Sequence, residues 1–150
     1  MTFSIEVISE PEIWEGEKIC YGQITMDGDK ETFHIPLSYW QVKDYKSQWI
    51  EGLERIINQK EHAILIQSMR DPKATTFILW WVLYYETDED IYVQQELIRL
   101  SELKVPLDLN NPYIHIGTRI TVTDEGHPVS EWKTNLADLK EFLYKIKNTE

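Results

Sequence analysis

Apolar residues in this chain first alternate and later recur at helical spacing, and the change of period marks out the elements. Phe3, Ile5 and Val7 alternate with Ser4, Glu6 and Ile8, which suits a strand with one buried face, and Pro11 ends it. Residues 18–26 (KICYGQITM) and 31–37 (ETFHIPL) flank Asp27-Gly28-Asp29, a turn signal between β-rich runs, so they predict a hairpin that closes at Pro36.

Over "PLSYWQVKDYKSQWIEGLERI", residues 36–56, the pattern turns helical. Val42, Tyr45, Trp49, Leu53, Ile56 and Ile57 fall three and four apart with Ile50 beside them, while Lys43, Lys46, Glu51, Glu54 and Arg55 lie mainly on the other side. This predicts a helix over about 39–59, with Ser38 as its N-cap and "NQKEH" as a polar stop. The rings at 45 and 49 then belong to a core, and Trp40 closes over the helix start.

Residues 62–69 and 75–85 read as two further strands. In the second, both parities are apolar, so both of its faces should be covered, and Trp80 and Trp81 should point to opposite sides. It is the expected central strand. The acidic turn "ETDED" leads into a strand at 91–98, and 103–112 reads as a loop. Residues 113–123 and 129–134 are expected to form a last hairpin around "DEGHP". A final helix is predicted over about 135–147, with Leu136, Leu139, Phe142, Leu143 and Ile146 facing inward.

Strands, a helix, more strands and a second helix make an α+β fold: a mainly antiparallel β-sheet packed against one long helix, with a C-terminal helix. The 150 residues suit one domain, and no internal repeat or low-complexity linker divides them.

Charge changes the picture more than composition does. The formal net charge is −11, and residues 1–31 alone hold eight acids against Lys18 and Lys30, with Glu86, Asp88, Glu89 and Asp90 adding a second cluster. Direct nucleic-acid binding is disfavoured, because neutralising phosphates needs clustered Lys and Arg. A basic protein partner is favoured, since complementary fields speed association and set specificity. The first ten residues lack the basic n-region of a signal peptide, and the longest apolar run, 77–85, is about half the roughly 20 residues that cross a bilayer. A cytoplasmic protein without membrane attachment is expected.

Chemistry is sparse in the pattern. Cys20 is the sole cysteine, which rules out an internal disulfide, and it reads as a buried small residue. No phosphate loop, G-x-S-x-G elbow, H-E-x-x-H or dinucleotide fingerprint occurs. His34 and His115 both sit in strand-like surroundings, so a two-histidine site across neighbouring strands is one alternative. A small hydrolase using such a site with scattered carboxylates, or an acidic protein-binding domain with a regulatory or scaffold role, are the competing functions. Asp88, Glu89 and Asp90 lack the spacing of a calcium loop.

The ordered segments "PLSYWQVKDYKSQWIEGLERI", "HAILIQSMRDP", "ILWWVLYY", "IYVQQELI", "PYIHIGTRITVTDEG" and "VSEWKTNLADLKEFL" together resemble the immunity proteins of contact-dependent growth inhibition, over about residues 33–143. The most specific pieces are Tyr39-Trp40 with Asp44-Tyr45 and Gln48-Trp49, the Trp80-Trp81 pair, and Ser130-Glu131-Trp132. The resemblance implies a cytoplasmic inhibitor that binds the C-terminal domain of a cognate toxin in a 1:1 complex. That toxin is expected to be a basic nuclease, a ribonuclease before a deoxyribonuclease. It implies no catalytic residues, no cofactor and no metal. The motif residues read as scaffold, and the toxin-facing residues do not transfer. From clustering at predicted turns, Glu86, Asp88, Glu89, Asp90, Asp124 and Glu125 are the expected acidic contacts.

Overall fold

A computed structural model describes residues 2–148. The predicted antiparallel pairing is present, but it divides into two four-stranded sheets where the pattern suggested one. In the N-terminal sheet, β3 (Glu17–Met26) is central and pairs from Ile19 to Met26 with β4 (Asp29–Pro36). On its other edge β3 meets two short strands end to end, β1 (Ser4–Val7) and β2 (Glu12–Trp14). Both connections are two-residue turns with positive φ throughout: Glu15-Gly16 at 50° and 80°, and Asp27-Gly28 at 54° and 80°. Such turns match the right-handed twist of the strands, and glycine at the second position adopts φ > 0 without a Cβ clash.

The helix begins later than predicted. α1 spans Val42–Glu54 and continues as a π-helical turn through Gln59, ending at Lys60 in the left-handed conformation. Its N-cap is Gln41, whose backbone N–H donates to the Asp44 carboxylate at 2.8 Å, while the Ser38 hydroxyl, the expected cap, instead donates to Glu17 at 3.1 Å. The predicted stripe holds. Tyr45, Trp49, Leu53 and Ile56 are fully buried. Trp40 is half-buried, its ring set edge-on to Tyr45 at 5.0 Å over the helix start.

The second sheet runs in order β5 (Ala63–Ser68), β6 (Phe77–Tyr85), β7 (Ile91–Arg99) and β8 (Trp132–Thr134). β6 is interior, and Trp80 and Trp81 are both buried on opposite faces, as its two-sided apolar pattern requires. α1 reaches the open edge of β5 with Gln48 and Trp49, which bond the Ile64 and Ile66 backbone. Gly52 permits this approach, since a Cβ there would lie 2.5 Å from the Ile64 carbonyl oxygen. α2 (Leu136–Asn148) packs beside α1 and is capped by Asn135, whose side-chain oxygen accepts the Asp138 N–H at 2.9 Å.

The two sheets and the helices share one buried cluster, joined where Phe33 meets Trp81 at 6.0 Å. Each buried tryptophan removes on the order of 200 Å² from water, contributing about 5 kcal/mol before the entropy of ordering it.

The expected last hairpin is reduced to its tip. Residues 112–115 make a 3-10 turn. Around the 124–128 turn the Val122–Pro128 bridge is flanked by the Thr123 N–H donating to the His127 carbonyl and the Val129 N–H donating to the Thr121 carbonyl. Ile114, Ile120 and Val122, whose alternation suggested a strand, are more than half exposed. What holds this segment is polar. Arg119 stacks on the Tyr92 ring at 3.7 Å and takes Glu131 in a two-pronged pair at 2.7 Å, and Gln94 donates to Glu131 and to the Ile120 carbonyl.

Candidate partner-binding surface

The acidic turn at 86–90 is a fixed projection. Backbone bonds from Glu86 and Thr87 to the Asp90 carbonyl close it, and the Leu136 N–H at the start of α2 donates to the Asp88 carbonyl at 2.8 Å. Its carboxylates are not equivalent. Asp88 accepts from the Tyr85 hydroxyl and pairs with Lys60 at 3.1 Å, and these two contacts hold its carboxyl below the usual range. Asp90 pairs with Lys133 at 2.7 Å, which lowers it likewise. Glu86 and Glu89 are exposed and have no ion pair among the described residues. Asp124 and Glu125 are exposed on a separate turn, bounded by the Gly126 N–H donating to the Thr123 carbonyl. No hydrogen bond or ion pair among the described residues joins the two turns. The six predicted contacts thus form two groups, and two of the six are partly neutralised from within.

The groove between α1 and α2 is lined by Val42, Ile50 and Ile146 with Lys43, Lys46 and Lys147, of which Lys147 is paired with Glu54 at 2.8 Å.

A second surface went unnoticed in the sequence. Register places Glu12, Trp14, Tyr21 and His34 on the face of the N-terminal sheet that points away from the core. The His34 ring lies 4.5 Å from Trp14 and 5.0 Å from Tyr21, edge-on to both. Three rings from three strands meet there only because the hairpins bring positions 14, 21 and 34 side by side. The signal available was the alternation itself, which puts these residues opposite Cys20, Gly22 and Ile35.

His34 is on β4, whereas His115 lies in the 3-10 turn and not on a neighbouring strand, which corrects the alternative that placed them together across neighbouring strands. His62 accepts the Tyr85 N–H on Nδ1 at 2.9 Å, a structural role. Among the described residues no three His, Cys, Asp or Glu side chains are placed to hold a metal ion. Cys20 is fully buried, and burial pushes its thiol pKa up, away from the reactive thiolate. No helix among the described residues is long and apolar enough to cross a membrane.

A family model, the CdiI N-terminal domain, matches residues 35–142. The chain belongs to the CdiI family. The Immunity protein CdiI of Enterobacter cloacae subsp. cloacae is 38% identical over 148 residues, covering 97% of this chain and 99% of that protein. A solved CdiA-CT/CdiI toxin and immunity complex from Enterobacter cloacae superposes with a TM-score of 0.88 at 37% identity, over 99% of this chain and 100% of the matched chain. In this CdiI-family chain the matched segment starts at Ile35. It therefore takes in α1, the second sheet and most of α2, and leaves β1, β2, β3 and most of β4 outside.

Proposed function

We propose that this chain is a cytoplasmic immunity protein that neutralises the C-terminal toxin domain of a CdiA-type protein, a basic nuclease, by forming a 1:1 complex with it, without catalysis of its own. The observation that carries this reading is the end-to-end likeness to a CdiI solved together with its CdiA-CT toxin. A fold kept over the full length at 37% identity keeps the frame on which a binding surface is built, while single surface residues are free to change.

Charge supports the nuclease class. A domain that holds phosphates presents Lys and Arg, and an inhibitor with net charge −11 meets it with the opposite field. Glu86, Asp88, Glu89, Asp90, Asp124 and Glu125 serve in this reading as steering acids. Of these, Asp88 and Asp90 already face lysines, whereas Glu86, Glu89, Asp124 and Glu125 have no ion pair among the described residues.

Co-purification tests the reading directly. The toxin domain encoded by the reading frame just upstream is co-expressed with this chain, and a stable 1:1 complex that protects the cells is expected. Cells that die, with no complex recovered, would end the proposal.

A further inference from the structure

Steering acids raise an on-rate, but a tight complex also requires a desolvated anchor, usually a few aromatic or arginine side chains at its centre. The outer face of the N-terminal sheet has that composition. Trp14 is 42% exposed, its backbone is held by β-pairing and its ring lies against His34 at 4.5 Å. Little ordering remains to be done on binding. Ile8, continuing the outward alternation of β1 and held by its N–H to the Tyr21 carbonyl at 2.8 Å, is 47% exposed beside this face.

The rim of the face identifies the chemistry of its partner. Glu10, Glu12 and Glu15 are exposed and unpaired among the described residues, and Glu12 shares the face with Trp14 two positions away. Glu17, directly across from Trp14, is instead held by Arg70 in a two-pronged pair at 2.9 Å. Lys18, the nearby cation, is paired across with Ile13 on the opposite parity. The chain builds the matching unit internally: Arg119 stacks on Tyr92 while Glu131 grips its guanidinium. Around Trp14 stand an aromatic ring and flanking carboxylates, and no Arg or Lys among the described residues stacks on that ring. A guanidinium laid on an indole face with carboxylates at its edge gains both cation–π and charge-assisted hydrogen bonds.

We propose that this face, centred on Trp14, Tyr21 and His34 and rimmed by Glu10, Glu12 and Glu15, is the anchor that receives an arginine or lysine from the basic surface of the toxin domain. The inference rests on the immunity reading above and assigns its contact site. It also assigns a role to residues 1–34, which lie outside the 35–142 family segment.

The test uses the full chain and the upstream toxin domain, with binding measured by calorimetry and surface-based kinetics. Trp14→Ala is expected to weaken the complex about 30-fold or more, the loss typical of a central aromatic anchor, with an unchanged melting midpoint. Glu12→Lys alters an exposed strand position and should slow association about 10-fold at low salt with an unchanged melting midpoint. Wild-type affinity in both variants overturns the proposal while leaving the immunity reading intact. Absence of any wild-type complex removes both. If the free chain forms a dimer that Trp14→Ala dissociates, with toxin affinity unmoved, the face is a contact between copies and the proposal is likewise overturned.

Discussion

Gln48, a helical residue, completes the edge of strand β5 at Ile66: its side-chain oxygen accepts the Ile66 N–H at 2.7 Å, while its amide nitrogen donates to the Ile64 carbonyl at 2.8 Å. Both bonds are buried, so an open sheet edge is closed by one side chain in place of another strand. Gln48→Leu keeps the volume but strands a donor and an acceptor away from water. A loss of about 2 to 4 kcal/mol is expected in urea unfolding. A midpoint equal to wild type would mean that water reaches this edge.

The neighbouring Trp49 combines packing with a hydrogen bond, donating to the Ile66 carbonyl at 2.8 Å from a fully buried position. Trp49→Ala should lose about 3 to 5 kcal/mol through the cavity it leaves. Trp49→Phe retains most of the packing and should lose about 1 to 3 kcal/mol, chiefly from the unpaired carbonyl. Equal losses in the two variants, measured by denaturant titration, would show that packing contributes nothing here.

Why Trp49 was legible and Trp14 was not follows from the range of the signal. The stripe Tyr45, Trp49, Leu53, Ile56 repeats within one element, so its period alone fixes the buried side. The Trp14 cluster joins three strands, and a period describes only one at a time. The division into two sheets was hidden for the same reason: alternation says that a face is buried, not against what. At 113–123 the rule misfired because Ile114, Ile120 and Val122 alternate as a strand does, yet Arg119 is drawn to Tyr92 and Glu131 and leaves those residues to solvent. The cap was misplaced because Ser38 has a competing partner 21 positions earlier, at Glu17. The acids of the 86–90 turn were visible in the composition, but their lysine partners at 60 and 133 were not.

Two buttressing ion pairs predict an acid-sensitive fold. The Arg70 hydrogen bonds hold the Glu17 carboxyl below its ordinary 4.5, and the Arg119 hydrogen bonds do the same for Glu131. A carboxyl lowered in the folded state adds stability that is present above 4.5 and is lost as the pH falls through the folded value. Glu17→Gln and Glu131→Gln should each lose about 1 to 2 kcal/mol near neutrality, a deficit that shrinks below pH 4.5 as the wild type protonates. A deficit that stays constant across that range, in urea midpoints taken at stepped pH, would assign the loss to packing.

The 86–90 turn separates steering from stability by which acids are removed. Glu86 and Glu89 form no ion pair among the described residues, although Glu86 lies in the field of Arg119, so Glu86→Gln with Glu89→Gln removes mainly field. Association with the toxin domain should slow severalfold at low salt, its salt dependence should flatten, and the melting midpoint should hold. Asp88→Asn with Asp90→Asn removes the same formal charge but also releases Lys60 and Lys133 and replaces the carboxylate that accepts from the Tyr85 hydroxyl. The freed lysines repel a basic partner locally, and the turn loses bonds that hold its shape. This second pair should therefore slow association at least as much as the first and also lower the midpoint measurably. Stopped-flow association across a salt series, read beside calorimetric melting, distinguishes the two pairs. Identical on-rates for all variants and the parent would place the encounter surface elsewhere on the molecule.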